Sequence, residues 1–325
     1  MSSATAAVLD WLTRARHVLV IMHATPDGDS AGSALALGMA LRRAGQAVDW
    51  VAHDAVPERL TFLPQARKVL AWPEVSWREY DLFVAVDCGG PSRLAAPDEW
   101  WEAGAPLVNI DHHRANNGFG TVNWVEASAS STGEMIVHLF QEAGWKATDE
   151  EALCLFTAIS TDTLSFRQVN TTLTTLRAVE WLIEQSGLDI GRANRLIWDS
   201  RPAGELKFVG WALSSVELSA NGRFAWIGVT RRVMEEFGVD DAGVDTVVHH
   251  LLSIDGVEVA FLAKEASVPG QVKVSWRGKP PWDVSQLARE FGGGGHSYAA
   301  AAQVTASLQQ ALARVKQVLG SAVRG

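Results

Sequence analysis

The sequence predicts an α/β fold, with a parallel-sheet domain in the N-terminal half followed by a smaller α+β domain. Three observations predict it. Short apolar runs alternate with helical segments through the first half, which is the pattern of a parallel sheet with helices on both faces. Several of those runs end in acidic or imidazole side chains, which in such a sheet gather at one edge. Beyond Gly204 the pattern changes, and 325 residues exceed the roughly 250–300 at which a single core stops growing.

The first strand is Val18–His23, apolar until its last residue. Ser30–Ala44, rich in Ala, Leu and Gly, reads as a helix with Ser30 as N-cap and Gly45 as its stop. Ala47–Ala52, Asp81–Asp87 and Pro106–Asp111 are the next strands. Helices are expected over Thr132–Ala143, Asp149–Ile159 and Thr174–Gln185. Asp189–Gly204, polar and carrying Pro202 and Gly204, reads as a connector. Strands then follow at Phe224–Val229, Val257–Ala263 and Val272–Trp276, with helices over Asp245–Leu252, Val284–Phe291 and Leu308–Leu319. The expected organisation is a first domain over 1–188, a linker over 189–204 and a second domain over 205–325.

Composition excludes several classes. No apolar run approaches the ~20 residues that span a bilayer, so no membrane partner is expected. Val18–Met22 runs at once into the Asp27–Asp29 loop and is a buried strand, not a signal peptide. Two cysteines, Cys88 and Cys154, form no disulfide framework, which points to a reducing, cytoplasmic setting. The net charge of −9 with no basic stripe argues against long duplex DNA and favours small phosphorylated substrates.

The segment HATPDGDSAGS, residues 23–33, places His23 at a strand end and Asp27 and Asp29 in the turn beyond it. Asp87 ends the third strand, in VAVDCGG, and Asp111, His112 and His113 end the fourth, in NIDHH. Asp162 lies in ISTDT at the end of a predicted helix. Four carboxylates in one cleft repel one another unless a counter-charge is present. Carboxylates with a few imidazoles suit two hard divalent cations: manganese first, with zinc, cobalt or magnesium as alternatives. A thiolate-rich zinc site is disfavoured because Cys88 and Cys154 form no spaced pair. The run GGGGHSY, 292–298, exposes successive backbone N–H groups as an anion-binding nest, with His296 projecting a donor beside it. Neither a GxSxG nucleophile elbow nor a P-loop is present. His249 and His250 sit in an amphipathic helical pattern without nearby acids and read as structural, whereas Trp276 and Trp282 flank the last predicted strand and are candidates to stack on a base.

HATPDGD, VDCG, IDHH and the STDT segment resemble, in order, the four motifs of the DHH phosphoesterase superfamily. NWVEASASSTGE (123–134) and FRQVNTT (166–172) extend the likeness. FGGGGH (291–296) resembles the DHH-associated C-terminal domain of one branch. The resemblance implies that His23 and Asp27 bind one metal ion, that Asp29 and His112 bind the other, and that Asp87 and Asp162 bridge. It makes Asp87, His112, His113 and Asp162 the catalytic set. Asp111 is then the residue that orients the ligands through hydrogen bonds. His113, Asn116, Arg167, Arg277, Gly293, Gly294, Gly295 and His296 contact the substrate. Two departures stand out: Leu164 follows Asp162–Thr163 where the family commonly has glycine, and Ala301 replaces a glycine after the GGGGH loop.

The resemblance is closest to the bifunctional oligoribonuclease (nano-RNase) and 3′-phosphoadenosine 5′-phosphate (pAp) phosphatase group. It implies a manganese-dependent phosphodiesterase or phosphatase acting on short RNA or small nucleotides, with a homodimer left open. A cyclic dinucleotide (c-di-AMP) phosphodiesterase is the alternative on the same architecture. A RecJ-type exonuclease is disfavoured because the chain has no room for an added OB-fold. An inactive nucleotide sensor would be marked by a missing ligand, and all six are present.

Overall fold

The computed structural model describes residues 3–101, 104 and 106–322, apart from the side chains of residues 242, 321 and 322. The chain divides into two compact units, Met1–Ser200 and Arg201–Gly325. The first unit holds strands β1 (His17–Ile21), β2 (Ala47–Ala52), β3 (Leu70–Ala71), β4 (Leu82–Val86), β5 (Leu107–Asp111) and β6 (Val122–Val125). Its helices are α1 (Ser3–Arg14), α2 (Gly28–Arg43), α3 (Asp98–Trp101), α4 (Thr132–Ala143), α5 (Asp149–Asp162), α6 (Leu173–Ser186) and α7 (Ile190–Trp198). The sheet order is β3-β2-β1-β4-β5-β6, with every pairing parallel. The direction of winding reverses between β1 and β4, so a crevice opens at their carboxyl ends.

Register aligns the site. Ile21 pairs with Ala85, which sets His23 level with Asp87 beyond the strand ends. Val86 pairs with Ile110, which sets Asp87 level with Asp111. These runs are largely apolar because both faces of the sheet are covered, with His17, Asn109 and Asp111 as the polar exceptions. One face carries Val18, Val20, Val84, Val86, Val108 and Ile110 against the long helices. The other face carries Leu19, Ile21, Phe83 and Ala85. It is covered by Trp72, Val75 and Leu94 on or beside short 3-10 turns and by Trp100 from α3, so the helices on this face are short.

The helices above the sheet lie very close together. A Cβ on Gly32 would sit 2.3 Å from the Cys154 carbonyl, one on Gly28 2.3 Å from the Thr161 hydroxyl, and one on Gly133 2.5 Å from the Ala158 methyl. Helix α2 starts earlier than Ser30. Its N-cap is Asp27, whose Oδ1 accepts from the N–H groups of Asp29 and Ser30. A carboxylate at this position also places a negative charge at the positive end of the helix dipole. The segment expected as a connector carries α7, whose Ile190 and Ile197 pack on the first unit's core.

The second unit contains β7 (Glu217–Leu218), β8 (Phe224–Val229), β9 (Val259–Glu265), β10 (Gln271–Gly278), β11 (Gly294–Gly295) and β12 (Ala299–Thr305), in the order β11-β12-β10-β9-β8-β7. Only the β8–β9 pair is parallel. Helices α8 (Ala203–Ser214), α9 (Arg231–Phe237), α10 (Asp241–Asp245) and α11 (Val247–Leu252) cover one face. The other is covered by α12 (Val284–Arg289) and α13 (Leu308–Ala322). Lys264 is buried, and its ammonium meets Asp241 at 2.9 Å and Asp245 at 3.0 Å. Burial of that charge is tolerable because it is paired on two sides.

Gly32→Ala should force α2 away from α5. Overpacking of this kind costs roughly 1–3 kcal/mol, so the melting temperature should fall by about 3–10 °C. Thermal unfolding of the variant checks it, and a wild-type melting temperature would contradict the close approach.

Candidate metal centre

Five of the six expected ligands come from loops at the carboxyl edge of β1, β4 and β5 or from the start of α2, and Asp162 from the last turn of α5. His23, Asp29, Asp87 and His112 are each no more than 4% exposed. His23 Nε2 lies 3.5 Å from Asp27 Oδ1 and 3.5 Å from Asp87 Oδ2. His112 Nε2 lies 3.6 Å from Asp29 Oδ2, 3.6 Å from Asp87 Oδ1 and 3.7 Å from Asp162 Oδ2. The two oxygens of Asp87 thus face two different imidazoles. Two donor groups result, His23–Asp27–Asp87 and Asp29–Asp87–His112, each with ligand atoms within 4.8 Å of one another. Asp162 stands on the His112 side. Separations of 3.5–3.7 Å are long for hydrogen bonds. They suit oxygen and nitrogen atoms arranged around cations, and the donor set fits hard divalent ions.

Asp87 takes its position from a left-handed backbone, φ +57°, directly after the strand. Such a conformation in a non-glycine residue is strained and is held by its surroundings. The Asp87 N–H donates to Ile110 O at 3.0 Å, and the Thr132 hydroxyl donates to Asp87 Oδ1 at 3.2 Å. Asp29 receives the first N–H groups of α4, from Thr132 at 2.7 Å and Gly133 at 2.9 Å, and the Ser33 hydroxyl at 3.1 Å. The Asn170 amide donates to Ser130 O at 2.9 Å, and to Asp162 O at 3.3 Å and Oδ2 at 3.4 Å. Thr132, Gly133, Ser33 and Asn170 were not singled out in the sequence, although NWVEASASSTGE and FRQVNTT contain three of them. Leu164, Ser165 and Phe166 all have positive φ, +47° to +65°, so the position where the family carries glycine is a left-handed one here.

His113 Nδ1 meets Asp111 Oδ1 at 2.7 Å. Asn116 is turned inward. Its Nδ2 donates to Asp111 Oδ2 at 2.6 Å, Asn109 Oδ1 at 2.7 Å and Cys88 O at 3.1 Å, while its Oδ1 accepts from the Gly118 N–H at 2.8 Å. Asn116, expected to contact the substrate, thus uses both ends of its amide within the protein and braces Asp111. Arg167 is exposed, with Nε donating to Leu164 O at 2.9 Å.

In the second unit, Arg277 ends β10 with NH1 donating to Trp276 O at 2.9 Å. The glycine run differs from a free nest. The N–H groups of Gly292, Gly293 and His296 go to the carbonyls of Arg289, Ala288 and Ala299. Gly294 and Gly295 pair with Ala301 and Ala300. A Cβ on Gly293 would sit 2.1 Å from Ala301 O, so glycine is needed for backbone approach. The His296 ring stacks on Tyr298 with centroids 5.3 Å apart. Trp276 is wholly buried and belongs to the core, whereas Trp282 is half-buried with its indole N–H donating to Glu258 at 2.7 Å. His249 and His250 lie on α11.

Burial pushes the carboxyls of Asp29, Asp87 and Asp162 upward, and neighbouring carboxylates add to the shift; Asp162 reaches about 7. Burial opposes a charge on His112, but Asp162, Asp29 and Asp87 outweigh it and raise the imidazole to about 9. Burial also opposes ionisation of Asp27 and Asp111. It is overcome at Asp27 by His23, the Ser30 N–H and Arg93, and at Asp111 by His113 and Asn116.

The model of the DHH family N-terminal domain matches residues 17–159, and that of the DHHA1 domain matches 227–321. The "bifunctional oligoribonuclease and PAP phosphatase NrnA" of Thermus thermophilus is 32% identical over 305 residues, 93% of this chain and 89% of that protein. Its namesake from Bacillus subtilis is 29% identical over 88% of this chain and 89% of its own length. A crystal structure of an exopolyphosphatase-related protein from Bacteroides fragilis superposes with a TM-score of 0.89 at 23% identity, over 98% of this chain and 96% of that one, which shows a shared fold. Among the described residues no helix is long and apolar enough to cross a membrane.

The titration pattern predicts the pH dependence of the metal-free protein. The unfolded chain has released its carboxyl protons by about pH 5, whereas folded Asp162 holds its proton up to about 7, and Asp29 and Asp87 release theirs at higher pH than in the unfolded chain. Folded His112 likewise keeps a proton above its ordinary value of 6.5, up to about 9. In both cases the folded state binds more protons, so stability falls as pH rises from about 5 to 9. The lowered Asp27 and Asp111 contribute a constant amount above pH 5. Melting temperatures in EDTA should therefore decline across this range, and excess divalent metal, which displaces those protons, should flatten or reverse the decline. A metal-free melting temperature that climbs from pH 5.5 to 8.5 would contradict the assignment.

Proposed function

The chain belongs to the DHH family of phosphoester hydrolases, with the DHHA1 domain as its second part, and from that premise we propose that it hydrolyses short oligoribonucleotides and pAp with two manganese ions. The observation that carries this reading is the match over 93% of the chain to a relative whose name joins those two activities. The carboxylate–imidazole cluster supports it with a donor set harder than a thiolate zinc site and softer than an all-oxygen magnesium site.

When bound, two divalent cations supply an acidified water and neutralise charge on the phosphoryl oxygens. His23 and Asp27 hold one position, Asp29 and His112 the other. Asp87 serves both, because each of its oxygens faces a different imidazole. Asp162 completes the His112 side. Asp111 fixes the orientation of the His113 ring through Nδ1, and His113 faces the substrate phosphate. Arg277 and His296 supply substrate recognition from the second domain.

Asp87→Ala should leave less than about 1% of wild-type kcat, a loss of at least ~2.7 kcal/mol, while the fold survives because a repelling carboxylate has been removed. Steady-state rates with manganese check it, and more than a tenth of the activity remaining would refute the shared-ligand role. His296→Ala and Arg277→Ala should retain metal but lower kcat/KM about ten- to a hundredfold, since contacts to a charged group are worth roughly 1.5–3 kcal/mol. The substrate is tested by comparing a dinucleotide, a long RNA, pAp and c-di-AMP at equal concentration with manganese. The dinucleotide and pAp should lead. Preference for c-di-AMP would move the assignment to a cyclic dinucleotide phosphodiesterase, and equal rates on the dinucleotide and the long RNA to a processive exonuclease.

A further inference from the structure

Arg93 lies six residues beyond Asp87, on the short turn Pro91–Leu94. Its backbone is fixed on both sides. The N–H donates to Gly90 O at 3.0 Å, and the carbonyl accepts from the N–H of Ala24, the residue after His23, at 2.7 Å. The next residue, Leu94, is fully buried, and its carbonyl accepts the Trp72 indole N–H at 3.2 Å. Arg93 is therefore clamped between the loop that carries His23 and Asp27 and the loop that follows Asp87.

Its side chain is treated differently. Arg93 is exposed, and no hydrogen bond or ion pair among the described residues uses its guanidinium. Its backbone bonds to Ala24 and Gly90 place it beside the loops that carry His23, Asp27 and Asp87. Arg167, by contrast, spends its Nε on Leu164 O. An arginine held at its backbone, set at the rim of a carboxylate cluster and bound to none of those carboxylates, is poised for an anion from outside. A guanidinium fork matches two phosphoryl oxygens, and a fixed backbone reduces the entropy lost on binding.

We propose that Arg93 is a substrate-binding residue of the first unit, and that its guanidinium takes phosphoryl oxygens of a nucleotide phosphate brought to the metal cluster. This rests on the hydrolase reading above and deepens it, by assigning a phosphate contact that the family motifs leave unassigned.

The test uses the full-length, manganese-loaded protein as wild type, Arg93→Ala and Arg93→Lys. Inorganic phosphate binding is measured by calorimetry, metal content by elemental analysis, and kcat/KM on a 5′-phosphorylated dinucleotide by initial rates. Arg93→Ala should weaken phosphate binding about ten- to a hundredfold and lower kcat/KM by a similar factor. Arg93→Lys should recover part of both, with metal content and melting temperature unchanged. Phosphate affinity within twofold of wild type in Arg93→Ala overturns the proposal. So does a loss of metal parallel to the loss of phosphate, which would make the residue a brace for the ligand loops, and so does a wild type that binds no phosphate. A wild type that hydrolyses no nucleotide removes the hydrolase reading alone, because the phosphate titration still decides the role of Arg93.

Discussion

Repulsion among Asp27, Asp29, Asp87 and Asp162 is the constraint on which the first unit is organised. Asp29 and Asp87 are almost wholly buried, and burial raises the free energy of each charge. A loose scaffold would let the carboxylates drift apart. Here the strand register sets His23 beside Asp87 and Asp87 beside Asp111, and glycine contacts hold α2 and α4 against α5. Donors from the start of α4 and from Asn170 then fix individual oxygens. The apparent excess of buried charge is thus matched by a surplus of positioning contacts, which is how a preorganised site differs from a collapsed one.

Much of this was legible in the sequence, for identifiable reasons. Strands buried on both faces read as apolar runs, so β1, β2, β4 and β5 were visible, and the acids and imidazoles at their ends marked the site. The parallel pairing of the first sheet followed from the alternation of strands and helices. Other elements gave weak signals. Strand β12 is largely alanine, a residue depleted in strands, and forms because small side chains admit the glycine strand β11 alongside. Helix α7 hid behind polar residues because only one side of it packs. Ser30 was misread as the cap because its type is favoured there, whereas Asp27 three residues earlier does that work as well as facing His23.

The residues that cluster were legible in the sequence, and their mutual relationships less so. Asn116 matches a substrate contact by position, but its amide is fully used in holding Asp111, Asn109 and Cys88. Trp276 matched a base platform by position, but it lies in the core of the sheet. A residue type shows which bonds a side chain is able to make, while the competing partners that decide among those bonds come only from the tertiary arrangement. Thr132 illustrates the converse: its hydroxyl and N–H serve two separate carboxylates, and nothing in its local sequence distinguishes it from an ordinary first-turn residue.

Cys88 is the immediate neighbour of Asp87, which the His23 and the Asp29–His112 donor groups share, yet its thiol is buried, donates to Gly90 O at 3.4 Å and is held protonated by burial. A soft ligand is thus present in the sequence at the most sensitive position and withheld by the fold. Thiophilic ions such as cadmium or mercury meet only oxygen and imidazole here, and lose the sulfur bond that would let them displace a harder ion. For the same reason an oxidant finds a protonated, buried thiol and not a thiolate beside the carboxylates.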